Sequence, residues 1–261
     1  MEKWEKALDT FIQEWMCRDE VEGLLVCGSY VTGTPSKRSD IDLHIILSKE
    51  TEWRQRGNKI INGYLIEYFA NPPDQIREYF REEHAVNRRH APHQFVSGRI
   101  ILDKTGTLQQ LRNEAAEWMK KEYLELNSNS VELFKYGLWD TLDNLHDAYE
   151  KESGSFTYAY WSALISAVDF YSRYMKYDTL PPHKIHELLN ELAQRVKYAL
   201  PDYPDAEYKE LLNEALLAKE KVIMLQCYER IVTYIQERAG GFNINGWQLR
   251  TPVHISPGQG E

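Results

Sequence analysis

Two features in the first fifty residues have the types and spacing of a site that handles phosphate. Gly28-Ser29 interrupts the apolar run GLLVC, and eleven residues after the serine Asp40 and Asp42 stand inside a second apolar run, DIDLHIIL. In an extended chain alternate side chains share a face. Asp40, Asp42 and His44 therefore point one way, and Ile41, Leu43 and Ile45 point the other, toward a core. Two ionised carboxylates side by side repel, and leaving both in a dry place is costly. A divalent cation removes the difficulty. Mg²⁺ takes hard oxygen ligands, usually one or two carboxylates plus substrate phosphates. Two such ions about 3.5–4 Å apart can clamp the attacking and leaving oxygens of a phosphoryl displacement. Gly28-Ser29 supplies the other half: a glycine lets a phosphate approach the backbone, and a helix start offers free N–H groups beside the serine hydroxyl.

Each feature alone is common. Asp-x-Asp often ends a strand, and Gly-Ser is an ordinary turn. The ordered combination of strand, Gly-Ser, short segment and Ser-Asp-Ile-Asp-Leu is far more specific.

The elements that must position these residues are readable from the pattern. An amphipathic helix is predicted over residues 2–17, a strand over Gly23–Cys27 and another over Asp40–Leu47. Lys59–Phe69 holds a turn-like Asn62-Gly63 and then a β-prone run; a helix comes next, over about 74–84. Phe95–Leu102 reads as a short strand or an apolar helix turn. From about residue 108 the periodicity is helical, in segments 108–126, 131–151, 156–177, 183–198 and 206–238, with Gly240-Gly241 as the last helix stop. The predicted organisation is α+β: an α/β unit with a mixed sheet over 1–107, an all-α helical bundle over 108–241 and an irregular tail over 242–261.

Bulk properties bound the function. The chain has 261 residues, is 43% hydrophobic and carries a formal net charge of −9. That balance argues against a protein that grips a nucleic-acid backbone. Three cysteines, with no pair at metal-ligand spacing, read as reduced thiols of a cytoplasmic protein. The start lacks an apolar signal core, and no run has the roughly 20 apolar residues of a membrane span.

The segment GSYVTGTPSKRSDIDLHIIL resembles the signature of the polymerase-β-like nucleotidyltransferase superfamily, with Gly28, Ser29, Gly33, Ser39, Asp40 and Asp42 on its positions. The resemblance implies that Asp40 and Asp42 hold Mg²⁺, as two ions, and that Gly28, Ser29 and Ser39 hold the triphosphate of an NTP, with ATP expected. Many relatives carry Arg where Thr32 stands, so Lys37 or Arg38 is a candidate phosphate contact; both also suit a solvated loop. The superfamily adds a third acid on a later strand. Glu67 fits, since it interrupts the apolar face of Leu65 and Phe69, and it would be third metal ligand or general base. A strand-edge charge is its structural alternative.

The domain plan also resembles antibiotic-modifying nucleotidyltransferases. SGRIILDKTGTLQQL looks like that family's link out of the catalytic unit, and YMKYDTLPPHKIHELL like one of its bundle segments. The activity so implied is Mg²⁺-dependent transfer of a nucleoside monophosphate to a small-molecule hydroxyl, such as that of an aminoglycoside-like antibiotic. Asp140, on a carboxylate stripe with Asp143 and Asp147, and Asp169, four residues before Arg173, are acceptor-side candidates; a solvated face and an ion pair are their plainer readings. His84, His90 and His93 cluster without the further ligands that zinc would need. A homodimer is allowed for. Two alternatives stand: an AMP-transferring enzyme of the antitoxin type that modifies protein, and a non-catalytic nucleotide-binding relative.

Overall fold

The computed structural model describes residues 2–252. They divide into two compact units. One reaches Tyr123 and includes Val196–Leu200; the other holds Leu124–Arg195 and the residues from Pro201 on.

The first unit runs α1 (Lys3–Met16), β1 (Val21–Cys27), β2 (Ile41–Leu47), β3 (Gln55–Ile61), β4 (Tyr64–Asn71), α2 (Pro73–Ala85), α3 (His90–Ser97), β5 (Arg99–Asp103) and α4 (Thr107–Lys120). Its five-stranded sheet has the order β3-β4-β2-β1-β5. β2 and β4 are parallel and the other pairs antiparallel, so the sheet is mixed, as expected. The apolar stripe of α1, with Leu8, Phe11 and Trp15, packs on Leu24, Val26, Ile41, Leu43, Ile45 and Ile66 of one sheet face. Leu25 and Ile46 on the other face meet Ile76 and Phe80 of α2, Phe95 of α3 and Leu108 and Leu111 of α4. Cover on both faces explains why β1 and β2 read as almost unbroken apolar runs.

β3 lies at the sheet edge, where its polar, mostly exposed residues discourage pairing with another chain. That polarity also hides the strand in the sequence, which marks only its end from Lys59. Asn62 and Gly63 both take left-handed backbone (φ 52° and 82°), as a two-residue type I′ hairpin turn requires. The turn pairs Ile61 with Tyr64, hence Asn58 with Glu67 and Arg56 with Phe69.

Two expectations shift. Phe95–Leu102 is neither wholly strand nor wholly helix: α3 ends at Ser97 and β5 starts at Arg99. The first unit also extends beyond residue 107, because Leu108, Leu111 and Ala115 of α4 are fully buried in its core.

The second unit is helical: α5 (Ser128–Glu150), α6 (Phe156–Tyr174), a 3-10 turn (Pro182–Lys184), α7 (Ile185–Asn190), α8 (Leu192–Lys197, whose end falls to the first unit), α9 (Ala206–Leu217) and α10 (Lys221–Arg238). The expected single segments 183–198 and 206–238 are each broken. Glu191 and Ala218 take extended backbone (ψ 113° and 134°) with no proline or glycine to announce it. Leu138 and Leu145 of α5 are buried, but so is Lys135, at 5% exposure. Its ammonium donates to the Gly241 (2.9 Å) and Ala239 (3.4 Å) carbonyls beyond α10 and pairs with Glu132. A cation there offsets the negative end of the helix.

Asp205 is another buried charge of this unit. It caps α9 by accepting from the Tyr208 N–H (3.0 Å), and it accepts from the hydroxyls of Tyr171 (2.5 Å) and Tyr234 (2.9 Å). Burial works to raise its pKa, but these hydrogen bonds, with Arg238 nearby, outweigh burial and hold it below the usual range. Residues 242–252 form no helix or strand. The rest of the predicted irregular tail lies outside the described residues.

Candidate metal and nucleotide site

Asp40, Asp42 and Glu67 come together at one end of the parallel pair β2/β4. Asp40 immediately precedes β2, Asp42 is its second residue, and Glu67 is the residue of β4 in register with Asp42. One carboxylate oxygen from each lies within 4.8 Å of the others. All three residues are half-buried, on the face opposite the α1 core. Like charges this close in a partly dry place call for a cation. An all-oxygen donor set fits Mg²⁺ rather than a soft metal.

Gly28 closes the site from β1. Its φ of 79° suits glycine, and a Cβ added there would stand 2.1 Å from Asp42 Oδ2. Only a residue without a side chain lets the turn lie against that carboxylate. Cys27, in register with Asp42, has its thiol pKa pushed well up, by burial first and then by Asp42 and Asp40. Beyond Gly28 the chain makes one helical turn: the N–H groups of Val31 (3.2 Å) and Thr32 (3.1 Å) both donate to the Gly28 carbonyl. The first N–H groups of such a turn have no carbonyl partner within it. Thr32, where many relatives carry arginine, turns its hydroxyl back to the same carbonyl (3.3 Å).

The loop to β2 is closed by serines. Ser39 Oγ accepts from the Ser36 N–H (2.9 Å), and the Ser39 N–H donates to the Ser36 carbonyl (3.2 Å). Ser39 thus fixes the approach to Asp40. Lys37 and Arg38 stand exposed, and neither makes an ion pair among the described residues.

Arg56 and His44 are features the motif did not announce. Arg56 of β3 donates to Glu67 Oε1 through Nη2 (2.6 Å) and Nε (3.2 Å), and its guanidinium lies 4.9 Å from the Phe69 ring centre. Counting outward from Asn62-Gly63 as a two-residue turn would have placed Asn58 opposite Glu67 and Arg56 on the same face, one step diagonal to it. His44 shares the face of Asp42 as predicted, but it is buried between Phe69 and Phe95. Its Nε2 meets Gln94 Oε1 (3.1 Å), and its Nδ1 has no hydrogen-bond partner. Burial lowers its pKa to about 4 against the pull of the Gln94 bond, with His90 adding a small push downward. The ring is therefore a neutral packing element, and only helix α3 arriving over β2 could reveal that.

The acceptor-side candidates lie in the helical unit. Asp140 of α5 is half-buried and accepts from Asn144 Nδ2 (3.3 Å). Asp169 of α6 is half-buried and makes no ion pair with Arg173 among the described residues.

Among solved structures, the chain is similar to a nucleotidyltransferase-like protein from Exiguobacterium sibiricum 255-15, at 12% identity and a TM-score of 0.45, over 91% of this chain and 77% of that one. No curated protein matches the sequence. The nucleotidyltransferase domain family matches residues 6–102, a span that takes in α1, the Gly28-Ser29 turn and all three acids. The acid group lies within the matched span.

Proposed function

We propose that the protein moves a nucleoside monophosphate from an NTP, expected to be ATP, to a hydroxyl of a small-molecule acceptor, with an aminoglycoside-like antibiotic as the first candidate. The observation that carries this reading is the gathering of Asp40, Asp42 and Glu67 within 4.8 Å inside a matched nucleotidyltransferase domain. Mg²⁺, as two ions, supplies Lewis-acid stabilisation of the attacking and leaving oxygens when bound. Asp40, just before β2, and Asp42, its second residue, would hold it through their carboxylate oxygens. Glu67 completes the ligand set or takes the proton of the acceptor hydroxyl. The Gly28-Ser29 turn and Lys37 receive the phosphate chain, and Ser39 sets the loop that carries Asp40. The acceptor oxygen forms a bond to the α-phosphorus as the bond to the bridging oxygen breaks, and pyrophosphate leaves. The helical unit, with Asp140 and Asp169, selects the acceptor. Three free thiols and the absence, among the described residues, of a helix long and apolar enough to cross a membrane suit the cytoplasm.

The test is pyrophosphate release from each NTP with Mg²⁺ and a panel of hydroxylated acceptors. Release that needs an acceptor and stops with EDTA or Asp40→Asn is the expected result. Release that survives Asp40→Asn overturns the mechanism. Label from α-³²P-ATP appearing on protein instead of small molecules overturns the acceptor class.

A further inference from the structure

Arg56 is the side chain at the site for which the proposed chemistry has no use. It sits on an edge strand, 70% of its side chain is exposed, and it still makes a two-point contact with Glu67 Oε1. Glu67 itself is 18% exposed. A charge-assisted fork of this kind is the stronger sort of hydrogen bond. The oxygen it occupies belongs to a residue of the acid group. A divalent cation drawn to that group would meet a positive charge already on one of its ligands.

Two facts decide where the guanidinium goes. A guanidinium and a divalent cation repel, so they do not share one carboxylate oxygen at no cost. Arg56 also cannot lose its proton, because the pair with Glu67 raises a pKa that is already high. When metal takes Glu67, the guanidinium must find another anion or face water. It rests over Phe69 at the rim of the site. The anion that the proposed reaction brings to the acid group is the phosphate chain.

We propose that Arg56 couples metal binding to nucleotide binding. It neutralises Glu67 while the site holds neither, and it yields Glu67 when a phosphate chain arrives with the metal to accept the guanidinium. Metal alone then binds weakly, and metal with nucleotide binds well. This rests on the metal-dependent reading above.

The experiment titrates Mn²⁺ into the whole protein by electron paramagnetic resonance and calorimetry, without and with a saturating non-hydrolysable ATP analogue. The variants are Arg56→Gln, Arg56→Lys and, as a control, Asp40→Asn. Arg56→Gln is expected to bind Mn²⁺ alone about fivefold more tightly, the scale of an exposed pair of this kind. It should also reduce the enhancement given by the nucleotide by about the same factor. Arg56→Lys keeps the charge without the fork and falls between. An unchanged or weaker affinity for Mn²⁺ alone in Arg56→Gln, or an unchanged enhancement, overturns the proposal. If wild type and Asp40→Asn bind Mn²⁺ alike, the metal-site reading itself has failed, and that result is separate.

Discussion

Asp205 in the helical unit and Asp40 in the sheet unit are carboxylates kept in different company. Asp205 is surrounded by donors of the protein's own making: two tyrosine hydroxyls and the first turn of α9. At the sheet site carboxylates face one another across 4.8 Å or less, and Gly28 has given up its side chain so that backbone can lie against Asp42. The contrast separates a charge used to build from a charge kept for a ligand. A charge used to build is already satisfied by hydrogen bonds, and its removal costs stability. Removing a charge kept for a ligand relieves repulsion and costs function.

Substitution in pairs is the most direct way to break that distinction. Asp40→Asn should lower turnover on the order of a thousandfold with a thermal midpoint equal to or above wild type. Asp205→Ala should do the reverse in one respect: it strips three donors of their acceptor and should cost about 3 kcal/mol in urea unfolding. If Asp40→Asn unfolds the protein, or Asp205→Ala leaves the urea midpoint unmoved, the two sites are not different in kind.

Gly28→Ala sharpens the same line from the backbone side. The new methyl must displace the Asp42 carboxylate, in a φ that L-residues avoid. A loss of about 1–2 kcal/mol is expected, together with loss of Mn²⁺ binding. Tight Mn²⁺ binding by this variant would mean that Asp42 does not need the turn.

Acid separates the units by the smallest effect. Burial lowers the pKa of His93 and of His84 in the sheet unit. Below about pH 6.5 the unfolded chain then takes up protons that the folded unit refuses, so stability falls as pH drops. Asp205 has its pKa lowered instead. Its contribution is present above the ordinary aspartate range and is lost only as pH falls through its own lower value. Native-state hydrogen exchange from pH 7.5 to 5.5 should loosen the sheet unit first, and His93→Gln should shrink that change. Loosening that starts in the helical unit would contradict the assignment.

How far the sequence could reach is set by the same physics. β1, β2 and the motif between them were legible because both faces of these strands are covered and apolar side chains must say so. α1 was legible from its stripe. The extent of β3 was not, because an edge strand answers to solvent and reads as polar loop. The breaks at Glu191 and Ala218 carry no breaker residue. Lys135 is a charged residue of α5, yet the end of α10 gives it a buried partner that no local pattern contains. The pairing of Asp42 with Glu67 depends on a parallel register set by the whole sheet. A carboxylate interrupting an apolar face was the local trace of it.

The hairpin of β3 and β4 acts as a ruler laid against the site from outside. β4 takes its register from β2, whereas β3 takes its register from the tip at Asn62-Gly63. The tip begins six residues from Arg56, about 20 Å along the strand. One residue inserted at the tip would slide β3 by one place and turn Arg56 to the opposite face, while Glu67 stayed where it is. The metal ligands and their built-in competitor are thus separately adjustable. A chain of this design could loosen or tighten its hold on metal by a change at the far end of a loop, without altering any residue that touches the reaction.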